Sequence, residues 1–191
     1  MPSRILTRLK RFTKDQHGST SVEAVLILPI LIWGYVALFV YYDAFRTQNI
    51  NLKAAYTLAD MISREDQVLN PAYINGLNQV YDYLTNNSQV TSIRVSSITW
   101  DAVNNRYMVQ WSYATKNAPI QDDGTINTFA GQLPTIPVGD TLIVVETSLE
   151  YKPLFDVGVR AKTFTQFIPT RPRFHSKICY STISPPPACI S

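Results

Sequence analysis

Nineteen consecutive residues without a charged side chain, Ala24 to Tyr42 (AVLILPILIWGYVALFVYY), constrain this chain more than any other feature. As a helix they reach about 28 Å at ~1.5 Å per residue, close to a hydrocarbon thickness of about 30 Å. A buried helix in a water-soluble domain normally keeps a polar stripe, and this run has none. Of its aromatic residues, Tyr41 and Tyr42 stand at the outer end, where an interfacial belt belongs. The run predicts a transmembrane helix, with the lipid bilayer as a partner.

The flanks predict its orientation. Residues 1–18 carry Arg4, Arg8, Lys10, Arg11 and Lys14 against one acid, Asp15. The positive-inside rule puts this leader in the cytoplasm and the bulk of the chain outside, in the periplasm of a bacterium. The expected location is thus the inner membrane, as a single-pass protein. An ordinary secretory signal fits less well, because the apolar run exceeds 7–15 residues and bulky Tyr41, Tyr42 and Phe45 stand where small residues are needed. Beyond residue 42 the chain holds 12 basic and 12 acidic residues. A neutral body argues against a nucleic-acid partner.

Before the apolar run the chain reads HGSTSVEAV, with Gly18 and Glu23 as its informative members. A carboxylate at the mouth of a membrane helix costs free energy and needs a reason. One reason is capping: Thr20-Ser21-Val22-Glu23 has the T-x-x-E spacing of a capping box, and Glu23 would oppose the helix dipole. The other is processing. A basic leader, a glycine, four small or apolar residues, a glutamate and an unbroken apolar helix together resemble the type IV prepilin signal. That resemblance implies cleavage by prepilin peptidase between Gly18 and Ser19. It also implies an assembly role for Glu23, pairing with the new N-terminal amine of a neighbouring subunit. Two charges in a low-dielectric setting need each other.

Residues 18–48, GSTSVEAVLILPILIWGYVALFVYYDAFRTQ, resemble the N-terminal segment of TadE/TadG-like proteins of the tight-adherence (Flp pilus) secretion systems. The match rests on Gly18, Val22-Glu23-Ala24, Leu28-Pro29 and the polar helix that follows. Residues 41–65, 142–155 and 170–174 look like an alphaproteobacterial branch of the same family. The resemblance implies a bitopic, non-catalytic, pilin-like protein (a minor pseudopilin) whose partners are other Tad pilus components. Pro29 lies inside the apolar run and removes a backbone bond to Val25; membrane helices tolerate this with a kink, and a hinge is the alternative reading.

The body predicts an α+β fold. Leu52, Ala55, Ala59 and Ile62 recur at helical spacing, with Leu58 beside them, so residues 43–65 extend the membrane span into a helix of about 40 residues, ~60 Å long. Asn70-Pro71 opens a second helix that stops at Asn86-Asn87. Residues 93–100 and 107–113 read as a hairpin about the turn 101–105. Residues 116–140 read as a long loop with short pieces. Thr141–Tyr151 and Thr163–Ile168 are further strands, giving an antiparallel sheet of about four. The expected divisions are a leader at 1–18, a transmembrane helix at 19–42, a periplasmic domain at 43–168 and a Pro-rich tail at 169–191.

Chemistry-bearing motifs are scarce. Cys179 and Cys189 are too few for a zinc site; an oxidising compartment favours a disulfide between them over two free thiols. No glycine-rich phosphate loop, G-x-S-x-G or H-E-x-x-H is present, and His17 and His175 suit no triad. Asp122-Asp123-Gly124 reads as a turn, since a calcium loop needs further ligands. Arg171 and Arg173 read as a solvated tail, and Glu146 and Glu150 share one strand face without a catalytic partner. No cofactor, metal or small-molecule substrate is expected. Two alternatives stand beside the pilin-like reading: an uncleaved, membrane-anchored periplasmic binding or adhesion module, and, more weakly, an anchored hydrolase.

Overall fold

The computed structural model describes residues 19–86 and 90–183. Helix α1 runs over Ser19–Ser63, and α2 over Pro71–Leu84. Strands β1 (Thr91–Asp101) and β2 (Arg106–Ala114) follow. A short helix α3 (Asp123–Thr128) and a 3-10 turn (Ala130–Gln132) precede β3 (Thr141–Tyr151) and β4 (Lys162–Thr170). The fold is α+β, with one antiparallel sheet in the order β2-β1-β3-β4.

The chain divides into two compact units. The first comprises residues up to 43 together with Leu154–Val159, and the second comprises 44–153 with 160–191. In the first unit α1 carries its apolar side chains outward: Val25, Leu26, Ile30 and Leu31 are 65–71% exposed. Pro29 sits inside the helix. Helix α1 is long and apolar enough to cross a membrane. Ser19 and Thr20 form the first described residues of this helix.

In the second unit the same helix becomes a core element. Ala54, Ala55, Leu58, Ala59 and Ile62 are buried. Leu58, expected beside the apolar face, lies within it. The three alanines let the helix approach its neighbours closely. Asn70 caps α2, its Oδ1 accepting from the Tyr73 N–H at 2.8 Å, and Pro71 occupies a first-turn position where its missing N–H costs nothing. Ile74, Leu77 and Tyr81 give α2 its buried face.

Strand register explains a two-sided sheet. Ile93 pairs with Thr147 and Val95 with Val145, and these residues share the face that α1 and α2 cover. On the opposite face Ile98, Leu142 and Val144 join Tyr107, Ile126, Leu133 and Ile136 in a second core. A bulge beside Ser97 and Ile98 skips Gln110 in β2 and re-aims the strand there. Asp101 holds the β1–β2 turn, accepting from the Val103 and Asn104 N–H groups and from the Asn104 amide. Hydrogen bonds from Asn104 hold the Asp101 carboxyl below its usual range.

The segment 116–140 is, as expected, a long loop with short pieces, one of them α3. Asp122-Asp123 forms a helix start instead of a plain turn: Asp122 Oδ1 accepts from Thr125 N–H at 2.7 Å, and Thr125 Oγ1 returns a bond to the Asp122 N–H. Asp123 Oδ1 and Asn127 Oδ1 then accept from the β2 amides of Val109 and Tyr107. The segment thus lids the second core while satisfying part of an edge strand.

The described part of the tail, residues 171–183, is irregular as expected, and it makes specific contacts. Arg173 is not simply solvated: its N–H donates to Ser63 O at 2.8 Å and its guanidinium meets Asp60 at 2.8 Å. The Leu69 N–H donates to Cys179 O, and the Ser181 N–H donates back to Leu69 O, each at 2.9 Å. The Tyr180 ring stacks on Trp111 at 5.3 Å, and Trp111 Nε1 donates to Ile178 O.

Candidate functional site

Three of the residues singled out in the sequence lie on α1. Ser19 begins it, Glu23 follows one turn later with an exposed side chain, and Pro29 lies further along. Gly18 lies outside the described residues, as does the leader. Cys179 is disulfide-bonded, and its expected partner Cys189 lies outside the described residues.

What ties α1 to the sheet is a residue that the sequence reading passed over. Asn51 is fully buried. Its Nδ2 donates to Phe164 O at 3.1 Å, while its Oδ1 accepts from Tyr81 Oη at 2.6 Å and Thr147 Oγ1 at 3.0 Å. One side chain therefore joins α1, α2, β3 and β4. Burial pushes the Tyr81 hydroxyl up to about 12. The signal was available: Asn51 occupies the position one turn before Ala55 in the apolar stripe, where a polar residue needs internal partners.

The polar end of the open sheet face holds the second feature. Arg94 and Glu146 are direct cross-strand partners in a bidentate pair, with Nε to Oε1 at 3.0 Å and a shorter contact between Nη2 and Oε2. Arg94 Nη1 also donates to Pro119 O at 2.9 Å. The pair lines a pocket of about 250 Å³ with Ser92, Ser148 and Thr165. Glu146 thus has a structural partner, and Glu150 remains exposed two positions along the same face. The arrangement joins strands and offers uncharged hydrogen-bonding groups, but presents no nucleophile paired with a base. Among the described residues no group of three His, Cys, Asp or Glu side chains is placed to hold a metal ion.

No family model, curated protein or solved structure matches this chain.

Proposed function

We propose that this chain is a non-catalytic, single-pass, pilin-like component in assembly of a Flp/Tad-type pilus or a related secretion apparatus. In this reading α1 crosses the inner membrane, its leader is cytoplasmic and the α+β domain is periplasmic. Prepilin peptidase removes the leader after Gly18. The new amine at Ser19 and the Glu23 carboxylate of a neighbouring subunit then form an ion pair within the apolar layer. The α+β domain meets other pilus components.

The observation that carries the reading is the change of character within one unbroken helix. Over its first half α1 exposes Val25, Leu26, Ile30 and Leu31; over its second half it buries Ala55, Leu58, Ala59 and Ile62. A helix built this way has what a membrane-anchored domain needs, an apolar half for the bilayer and a half that joins the domain's core. The prepilin-like order of Gly18, Glu23 and the apolar run supplies the rest.

N-terminal sequencing and intact mass of the membrane-inserted protein, made with and without a prepilin peptidase, test the proposal. A peptidase-dependent start at Ser19 supports it. An intact start in both samples sinks the processing step and favours the anchored binding or adhesion module, for which the Arg94–Glu146 pocket is the relevant observation. Glu23→Gln separates the two again: assembly fails in the pilin-like case, while localisation and function persist in the other.

A further inference from the structure

The two edges of the sheet are finished differently. At β2 the outward amides of Tyr107 and Val109 donate to the Asn127 and Asp123 side chains. At β4 the outward groups follow from the register. Glu150 N–H donates to Val90 O, towards β1. Backbone groups alternate in direction along a strand, so Leu149, Thr147, Val145 and Ile143 face β4. Their partners Phe164, Gln166, Ile168 and Thr170 face back towards β3. Thr163, Thr165, Phe167 and Pro169 therefore turn their backbone groups away from the sheet. Pro169 stands where its missing N–H breaks no ladder bond. Among the described residues no group accepts from the N–H of Thr163, Thr165 or Phe167. Thr163 and Thr165 are exposed. The run Thr163–Ile168, TFTQFI, has no charge, glycine or proline. An open edge of this composition is a template for another strand.

We propose that β4 is a strand-addition site for an extended, acid-bearing segment of a different protein. Main-chain bonds to Thr163, Thr165 and Phe167 hold the segment, and charge at one end of the edge sets its register. Lys152, Arg160 and Lys162 stand at that end, in the same compact unit as β4. None of them has an ion-pair partner among the described residues. Glu150, opposite Thr163, offsets only part of their charge. Other occupants fit worse. The leader, with Arg4, Arg8, Lys10, Arg11 and Lys14, repeats the sign of the edge, and the last residues contain Pro185-Pro186-Pro187, which have no N–H to donate. A second copy pairing parallel would set two basic ends side by side. A second copy pairing antiparallel would lie end for end. Asn51 Nδ2 donates to Phe164 O, and the Arg173 N–H donates to Ser63 O, so residues 51–63 of α1 run in the same direction as β4. Antiparallel β4 strands would point these helices oppositely, and two copies entering one bilayer need them on the same side. That last exclusion rests on the reading that α1 spans a bilayer; the site itself does not. A repeating contact of β4 on β2 is closed by Asp123 and Asn127.

The test is amide hydrogen exchange, resolved to single residues, on the full chain in phosphatidylcholine nanodiscs with its disulfide intact. The probe is a capped peptide of alternating valine and threonine with aspartates at both ends, at millimolar concentration. One control peptide carries lysines in place of the aspartates, and another is N-methylated at alternate residues. Without peptide, the amides of Thr163, Thr165 and Phe167 should exchange fast, and those of Gln166 and Ile168, which face β3, slowly. The acidic peptide should slow the outward amides about tenfold at nine-tenths occupancy. The lysine peptide should slow them less, and the N-methylated peptide not at all. Thr165→Pro removes an outward donor without breaking a β3 bond, so it should abolish the effect while Gln166 and Ile168 stay slow; Thr165→Ala should keep it. No slowing, or equal slowing by the N-methylated peptide, overturns the proposal. Outward amides already slow at every protein concentration would mean that the chain covers its own edge. Protection that grows with protein concentration would mean that a second copy does. Either result overturns the proposal, and each leaves the pilin-like reading standing, because that reading is decided by the start at Ser19.

Discussion

Replacing Asn51 with leucine removes three hydrogen bonds at one buried point while nearly preserving volume. Tyr81 Oη and Thr147 Oγ1 lose their acceptor, and Phe164 O loses a donor. A buried polar group left without a partner costs about 1–3 kcal/mol, so the gross loss is about 3–9 kcal/mol. Burying the leucine side chain returns about 1.5–3 kcal/mol, and rotation of the two hydroxyls relieves part of the remainder. The expected net loss is about 3–5 kcal/mol, a large share of the ~5–15 kcal/mol that stabilises a typical domain. Tyr81→Phe is the informative companion. It removes one donor but leaves Asn51 Oδ1 with Thr147, and should cost only about 1 kcal/mol. Denaturant unfolding of the full chain in lipid nanodiscs, followed by far-ultraviolet circular dichroism and by tryptophan emission, measures both. For a chain of this size the leucine variant should also melt roughly 10 °C lower. Equal losses for the two variants would refute the view that Asn51 is a shared node, and would reduce it to a partner of Tyr81.

The Tyr81 hydroxyl supplies a pH prediction. Its pKa rises from 10.0 unfolded to about 12 folded, because burial disfavours the phenolate. The folded state therefore keeps the proton longer. This contribution is fully present below pH 10, is lost as pH rises from 10 to 12, and amounts to roughly 2–3 kcal/mol. Unfolding midpoints measured across that window should fall for the native chain and fall less for Tyr81→Phe. At the sheet, Arg94→Met or Glu146→Met alone should cost about 1–3 kcal/mol by stranding a partly buried charge, whereas the double substitution should cost less than the sum of the two singles. A double-mutant cycle reads this coupling, and strict additivity would deny it. Asp122→Ala removes the capping box of α3 and should cost about 1 kcal/mol. Amide exchange across Asp123–Gln132 should accelerate more than exchange in β1 and β3; a uniform change would show that α3 does not open separately.

Features with a strong local cause were legible in the sequence. Asn70-Pro71 carries its own helix start, because the asparagine supplies the cap and proline sacrifices no bond in the first turn. The strands β1 and β3 were readable because their β-branched, apolar runs suit a sheet whose two faces are both covered. Features with non-local causes were harder. Asp122-Asp123-Gly124 is turn-like by composition; only the hydrogen bonds from β2 amides to Asp123 and Asn127 show why a helix is held there. The irregular tail was legible from its prolines, but its anchor was not: Tyr180 finds Trp111 across a large sequence separation, and no short window contains both. The candidate site divides in the same way. Ser19, Glu23 and Pro29 lie close in sequence and share a helix, whereas Asn51, Tyr81, Thr147 and Phe164 meet only once the strands have registered.

This last cluster bears on how α1 could serve two environments. A helix that is apolar on every side has no intrinsic rotational preference in lipid, so nothing within Ala24–Tyr42 fixes which side meets a neighbour. The Asn51 amide can reach Phe164 O, Tyr81 and Thr147 together in only one rotation of the helix about its axis. Within the folded unit the node therefore selects one rotation for residues 44–63 of α1 against α2, β3 and β4. A buried polar node is a poor source of net stability but an effective selector among alternatives, as polar core positions are in some coiled coils. On this argument Asn51→Leu should do more than destabilise. In molecules that remain folded it should broaden the distribution of a spin label placed at Tyr56→Cys, an exposed position on the same part of α1, relative to one at Val103→Cys. If that distribution stays as narrow as in the native chain while stability falls as expected, the node holds the domain together but does not set the rotation of α1.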